Sequence, residues 1–152
     1  FTGDYAGILL YETLYAFGLS TAPQSVAADD NLRLIGCRIS NSVKCVPPGN
    51  KPLPAEIATC NRYLAHELAG VREGTVLLAL GAIARGAVLR ALGLKQSACA
   101  FAHGAEHTLP RDLALVDSYH CSRYNTNTRR LTPDMFRAVV GRATKLAAGI
   151  SD

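Results

Sequence analysis

The chain has 152 residues, 49% hydrophobic and 18% charged, which is one domain's worth with enough apolar side chain for a core and too few charges for a disordered tail. A formal charge of +4 is compatible with a polyanionic partner without requiring one. No run approaches the about 18 apolar residues of a membrane span, no signal peptide is visible, and five cysteines, an odd number, exclude a fully paired disulfide framework, so reduced cytoplasmic thiols or metal ligation fit better.

In chain order, Ile8 to Phe17 reads as an amphipathic helix with Leu10, Leu14 and Phe17 on one face. Ser20 to Asn31 is a polar loop. Leu32 to Ile39, rich in aliphatic residues, reads as a strand. Cys45 to Pro54 is too rich in proline for regular structure, and Pro54 then suits the first position of a helix running to about Leu68. Val76 to Leu80 is a continuous apolar run, as expected of a parallel strand covered on both faces. Ile83 to Leu92 is helical and Gly93 ends it. Leu113 to Tyr119 is another short strand, and the polar run Ser122 to Thr128 reads as a loop. Thr132-Pro133-Asp134 opens a last helix, with Thr132 as N-cap and Pro133 at the first helical position. Phe136, Val139, Val140, Ala143 and Leu146 face inward on it, and Arg137, Arg142 and Lys145 face outward.

This alternation predicts an α/β fold with a mostly parallel sheet between helices, in one domain over residues 1–152. Ligands of such sheets collect beyond the carboxyl ends of the strands. That rule marks the segment after Ile39, the turn at Gly81 and the segment after Tyr119. Neither a Gly-x-Gly-x-x-Gly nor a Walker-type loop is present.

Two of these positions carry unusual sequences. After Ile39 comes Asn41-Ser42-Val43-Lys44-Cys45-Val46-Pro47-Pro48-Gly49-Asn50-Lys51-Pro52, with Cys60 beyond it; after the later strand comes His120-Cys121-Ser122-Arg123-Tyr124-Asn125-Thr126-Asn127-Thr128. In this order, with Phe1-Thr2-Gly3-Asp4 and Gly7 before them and Ala79-Leu80-Gly81 and His103-Gly104-Ala105 between, the motifs resemble the iron–sulfur uracil-DNA glycosylases along the whole chain. The pattern is most similar to the fifth family of that superfamily. It departs at Cys121, where a proline is usual, at Tyr124, where a glutamine is common, and at Arg129, where a glycine is common. The Gly-rich beginning of the first motif and two further cysteine ligands are expected upstream of Phe1.

The resemblance implies a three-layer α/β/α sandwich around a short, mostly parallel sheet, a [4Fe–4S] cluster, and hydrolysis of the N-glycosidic bond of uracil in DNA. It also implies a monomeric, cytoplasmic protein whose partner is uracil-containing DNA. Uracil leaves as an anion, and a neutral imidazole donating to its O2 stabilises the transition state; His120 is the candidate. A carboxamide donates to uracil O4 and accepts from N3–H at once, whereas cytosine presents the opposite pattern. Asn41 is favoured as this reader and Asn50 competes with it. Asp4 is the candidate to orient the attacking water and offset positive charge on the sugar, and it is equally the residue capping would choose before the first helix. Phe1 is a candidate to stack on the base. Ser122, Arg123, Tyr124 and Asn125 are candidates for DNA contact, with Arg123 or Tyr124 as the wedge that fills the gap left by a flipped base. Cys45 and Cys60, fifteen positions apart, are the candidate cluster ligands.

Two other readings remain at this point. One is a catalytically incompetent DNA-binding fragment or relative of the same fold. The other is a Cys–His hydrolase built on Cys121 and His120, disfavoured because adjacent side chains on an extended segment point to opposite sides.

Overall fold

The computed structural model describes residues 2–27, 29–44 and 53–149. Its helices are α1 (Tyr5–Ala16), α2 (Pro54–Ala69), α3 (Ala82–Ala91), the short α4 (Arg123–Asn127) and α5 (Pro133–Ala147); its strands are β1 (Val76–Leu80), β2 (Glu106–Leu109) and β3 (Leu113–Ser118). The order across the sheet is β1-β3-β2. β1 and β3 run parallel, with Val76 opposite Ala114 and Leu80 opposite Ser118. β2 joins the other edge of β3 in antiparallel register, with Leu109 opposite Leu113.

Side-chain alternation along the strands sets the layers. Leu77 and Ala79 of β1 and Leu113 and Leu115 of β3 pack with Leu89 of α3, and Leu77 also meets Leu64 and Leu68 of α2. The intervening residues face the other way. Val76, Leu78 and Val116 meet Val139 and Ala143 of α5, and Leu78 and Leu80 reach the cluster formed by α1, Phe136 and Val140. The sheet is therefore covered on both faces, α2 and α3 on one and α1 and α5 on the other, which is the expected α/β/α sandwich. Among the described residues no helix is long and apolar enough to cross a membrane.

Local chemistry fixes the helix ends. Asp4 Oδ1 accepts from the Gly7 N–H at 2.6 Å, so α1 begins at Tyr5, three residues before its apolar periodicity becomes readable. The Leu53 N–H donates to Glu56 Oε2 at 2.8 Å ahead of Pro54, which occupies the first turn of α2. At the other end of α2, the Arg111 guanidinium donates to the Leu68 carbonyl at 3.0 Å and to that of Val71. Thr132 Oγ1 accepts from the Met135 N–H at 3.2 Å and starts α5 where the sequence predicts it. Gly141 of α5 admits the Phe17 ring, since a Cβ there would lie 2.9 Å from its Cζ.

Two expectations need correction, and one strand was not expected. The segment Leu32 to Ile39 is not a strand: it forms only an isolated antiparallel bridge, Leu34 with Ser20, and turns at Gly36, where φ is +65°. Leu32, Leu34 and Ile39 still pack against the α1–α5 core, so their alternation records burial of an extended segment rather than sheet pairing. The run after Ser122 is not all loop, because Ser122 caps the short α4, its hydroxyl accepting from the Asn125 N–H. β2 carries little strand signal in Glu106-His107-Thr108-Leu109, as suits a polar edge strand.

Candidate active site

The carboxyl ends of β1 and β3 meet at Gly81 and His120. The Gly81 N–H donates to the Ser118 carbonyl at 2.7 Å. Gly81 has φ +96° and ψ 162°, a region only glycine adopts readily. A Cβ on it would lie 3.3 Å from His120 Cβ, so the missing side chain also makes room for the histidine.

His120 is fixed by its neighbours. The Tyr119 N–H donates to His103 Nδ1 at 3.1 Å, and the two rings stack with centroids 5.1 Å apart. The Arg130 guanidinium lies 4.6 Å from the Tyr119 ring centroid. Asn125 Nδ2 donates to the His120 carbonyl at 2.9 Å. Cys121 is fully buried in the core beside α1 and Phe136.

Burial pushes the His120 imidazole below its ordinary pKa, while the Asp4 carboxylate works in the opposite direction. The net result is a neutral ring at neutral pH, with Asp4 within electrostatic reach. Burial pushes the Cys121 thiol up to about 11. Such a thiol, locked in the core and protonated, is no nucleophile, and the Cys–His hydrolase reading falls with it.

A cavity of about 1210 Å³ opens beside this point, and both Asn41 and His120 line it, together with Ile39, Leu80 and Ile83. Asn41 is exposed, and its carboxamide makes no hydrogen bond to any described residue. Asp4 does not line the cavity, but it stands at the start of α1, where Tyr5 meets α4. The Thr126 hydroxyl donates to Tyr5 Oη at 3.4 Å, and the Arg123 guanidinium sits 5.4 Å from the Tyr5 ring centroid. This contact joins the Asp4 and His120 segments. Tyr5 was not legible as a site residue, since nothing in its spacing distinguishes it from a helix-surface tyrosine.

The four residues read as DNA contacts divide in two. The Ser122 hydroxyl and the Asn125 side chain are engaged within the loop, whereas Arg123 and Tyr124 are exposed, Tyr124 to 72%. Phe1, Asn50 and Cys45 lie outside the described residues. Cys60, on α2, is a buried free thiol. No group of three or more His, Cys, Asp or Glu able to hold a metal occurs among the described residues. Cys60 is thus a single described donor, which does not make a four-thiolate site by itself. On the α3 face of the sheet, Asp117 is fully buried 3.3 Å from His107 Nε2, and burial raises its carboxyl pKa despite that contact. This pair lies apart from the cavity lining.

Fold and geometry together define an α/β sandwich with a cavity at the carboxyl ends of its parallel strands, where ligands of such sheets collect. The profile of the uracil DNA glycosylase superfamily matches residues 1–143, and the chain belongs to that superfamily. It is 47% identical over 147 residues to the type-5 uracil-DNA glycosylase of Thermus thermophilus, an alignment covering 97% of this chain and 67% of that protein. The type-5 enzyme of Pyrobaculum aerophilum is 40% identical, with 94% of this chain and 62% of that protein covered. That of Mycobacterium tuberculosis is also 40% identical, with 97% and 56% covered. The chain therefore spans between just over half and two thirds of the length of these relatives.

Proposed function

We propose that the protein carrying this chain is a uracil-DNA glycosylase that initiates base excision repair. The observation that carries the reading is the cavity shared by His120 and Asn41, with Asp4 in electrostatic reach of the imidazole. A nucleotide flipped from the duplex would enter there. The Asn41 carboxamide would read O4 and N3–H of uracil. As the bond between C1′ and N1 breaks, its electron pair leaves with uracil, and neutral His120 donates a hydrogen bond to the developing charge on O2. Water adds to C1′, and the proton it loses passes to solvent, from which the uracil anion is protonated; Asp4 orients the water and offsets the positive sugar. The products are free uracil and an abasic site.

The exposed Arg123 and Tyr124 suit a phosphate contact and a wedge, respectively. Ser122 and Asn125 then serve the shape of the loop more than the DNA. Cys45 and Cys60 are proposed as two of the four thiolate ligands of a [4Fe–4S] cluster; the cluster's role would be structural, and no step above passes through it. Iron content of the longer protein, with and without Cys60→Ser, tests that assignment. Free thiols and a DNA substrate suit a monomeric protein of the cytoplasm.

The experiment is release of uracil from a labelled oligonucleotide by the longer protein and by this chain. Release that disappears in His120→Ala supports the reading. DNA binding without release by the longer protein would instead establish an incompetent relative.

A further inference from the structure

The segment that presents Asn41 is irregular, so something other than a sheet must hold it. Glu67, near the end of α2, receives it. Ser40 Oγ donates to Glu67 Oε2, and Lys44 Nζ donates to Glu67 Oε1 at 2.8 Å and to Ser40 Oγ at 2.7 Å. Arg38 Nη2 adds an ion pair to the same Oε1 at 3.3 Å. Asn41 lies between Ser40 and Lys44, and Glu67 lines the same cavity as Asn41 and His120. The Lys44 and Ser40 hydrogen bonds hold the carboxyl below its usual range, so the acceptor is ionised at neutral pH. Charge-assisted bonds from both sides of one residue restrict the backbone between them more than a single surface ion pair would.

We infer that Glu67 is a positioning residue that clamps the 38–44 segment to α2 and so sets the aim of the Asn41 carboxamide toward the base. This rests on the uracil-excising reading given above. Because α2 also carries Cys60, the clamp links the base-reading segment to the helix of the proposed cluster ligand. The interaction was not legible in the sequence, because its partners stand 23 and 27 residues away with a proline-rich stretch between them.

The test uses the full-length protein as wild type, Glu67→Ala, Glu67→Gln, Asn41→Ala and Asn41→Ala/Glu67→Ala. Steady-state uracil release is measured together with backbone amide exchange by mass spectrometry. The expected result is a KM raised about tenfold in Glu67→Ala with a smaller change in kcat, as for lost binding rather than lost chemistry. Glu67→Gln, which keeps an acceptor without the charge, falls between. Amides of residues 38–44 should exchange about tenfold faster in Glu67→Ala while those of β1 and β3 do not. In the Asn41→Ala background the second substitution should add little, since both act through one side chain. Wild-type KM and exchange in Glu67→Ala, or full additivity with Asn41→Ala, would overturn the inference. If Glu67→Ala fails to fold, Glu67→Gln decides by the same measures. Should the wild type release no uracil, the functional reading falls, and exchange alone then judges the clamp: faster exchange at 38–44 upholds it and unchanged exchange ends it.

Discussion

Gly81 offers the sharpest perturbation of the site, because two separate physical effects meet there. Its φ of +96° and ψ of 162° put Gly81→Ala in a region that costs a side chain on the order of 1–3 kcal/mol. Its new Cβ would stand 3.3 Å from His120 Cβ, so the histidine must yield by a few tenths of an ångström. Misplacing a catalytic group by about 1 Å costs roughly a hundredfold, so a shift of a few tenths corresponds to about three- to tenfold in single-turnover rate. Gly93→Ala is the control, since Gly93 also has positive φ, +71°, but a Cβ there would meet nothing within 4 Å. Both variants should lose stability in urea denaturation, Gly93→Ala by about 1 kcal/mol. Only Gly81→Ala should lose rate when assayed well below its melting temperature. Equal rates in the two variants, both folded, would refute the argument that Gly81 exists to accommodate His120.

Further outcomes follow from the placement of the other residues. His120→Ala should lower turnover by about 10²–10³ with DNA affinity nearly unchanged, as for a donor aimed at developing charge; equal loss in binding and turnover would remove the role. Because burial depresses the pKa of both His120 and His103, the rate should hold below the ordinary imidazole value near 6.5. Folding stability, in contrast, should begin to fall there, since the unfolded chain takes up protons first as pH drops; urea midpoints across pH 5–8 check the sign. Asn41→Asp should weaken preference for uracil over cytosine in a competition assay, and an unchanged preference would move the reading to Asn50. Arg123→Ala should weaken DNA binding and reduce its salt slope by about one. Asn125→Ala should slow single turnover by about tenfold through the lost bond to the His120 carbonyl while leaving that salt slope intact.

What could be read in advance depended on whether the signal was local. Val76–Leu80 announced itself because a strand covered on both faces must be apolar throughout, and α5 because Thr132 and Pro133 state its start within three residues. The rule that ligands gather at strand ends pointed to Gly81 and to the segments after Ile39 and Tyr119, and Asn41 and His120 of those segments line one cavity, even though Ile39 ends no strand. That error is instructive: period-two burial arises wherever an extended segment lies along a core, and the sequence does not reveal whether a neighbouring strand donates hydrogen bonds to it. β2 stayed invisible for the complementary reason, its pairing with β3 being backbone chemistry beneath largely polar side chains. The contacts of Glu67 and Tyr5, and that of His103 with the Tyr119 amide although His103 stands in the His103-Gly104-Ala105 motif, were not readable because the partners are distant in the chain.

The placement of His120 shows how this fold supplies a fixed imidazole without burying it completely. Its two chain neighbours are anchored independently: the Tyr119 amide on His103 Nδ1, and Cys121 inside the core. His120 lies between these two anchors and lines the cavity, and Asn125 on its carbonyl restricts the remaining peptide rotation. Position 121 is a filled core position, which the small side chain of Cys121 satisfies. His103 Nδ1 must be unprotonated to accept the Tyr119 N–H, and burial, the cause that keeps it neutral, is the same one that keeps His120 neutral. Acid would thus loosen the support and charge the donor over a similar pH range, below the value near 6.5 at which stability begins to fall, so the decline in stability should set in before activity fails. A rate that collapsed at a pH where the fold kept its full stability would break that link.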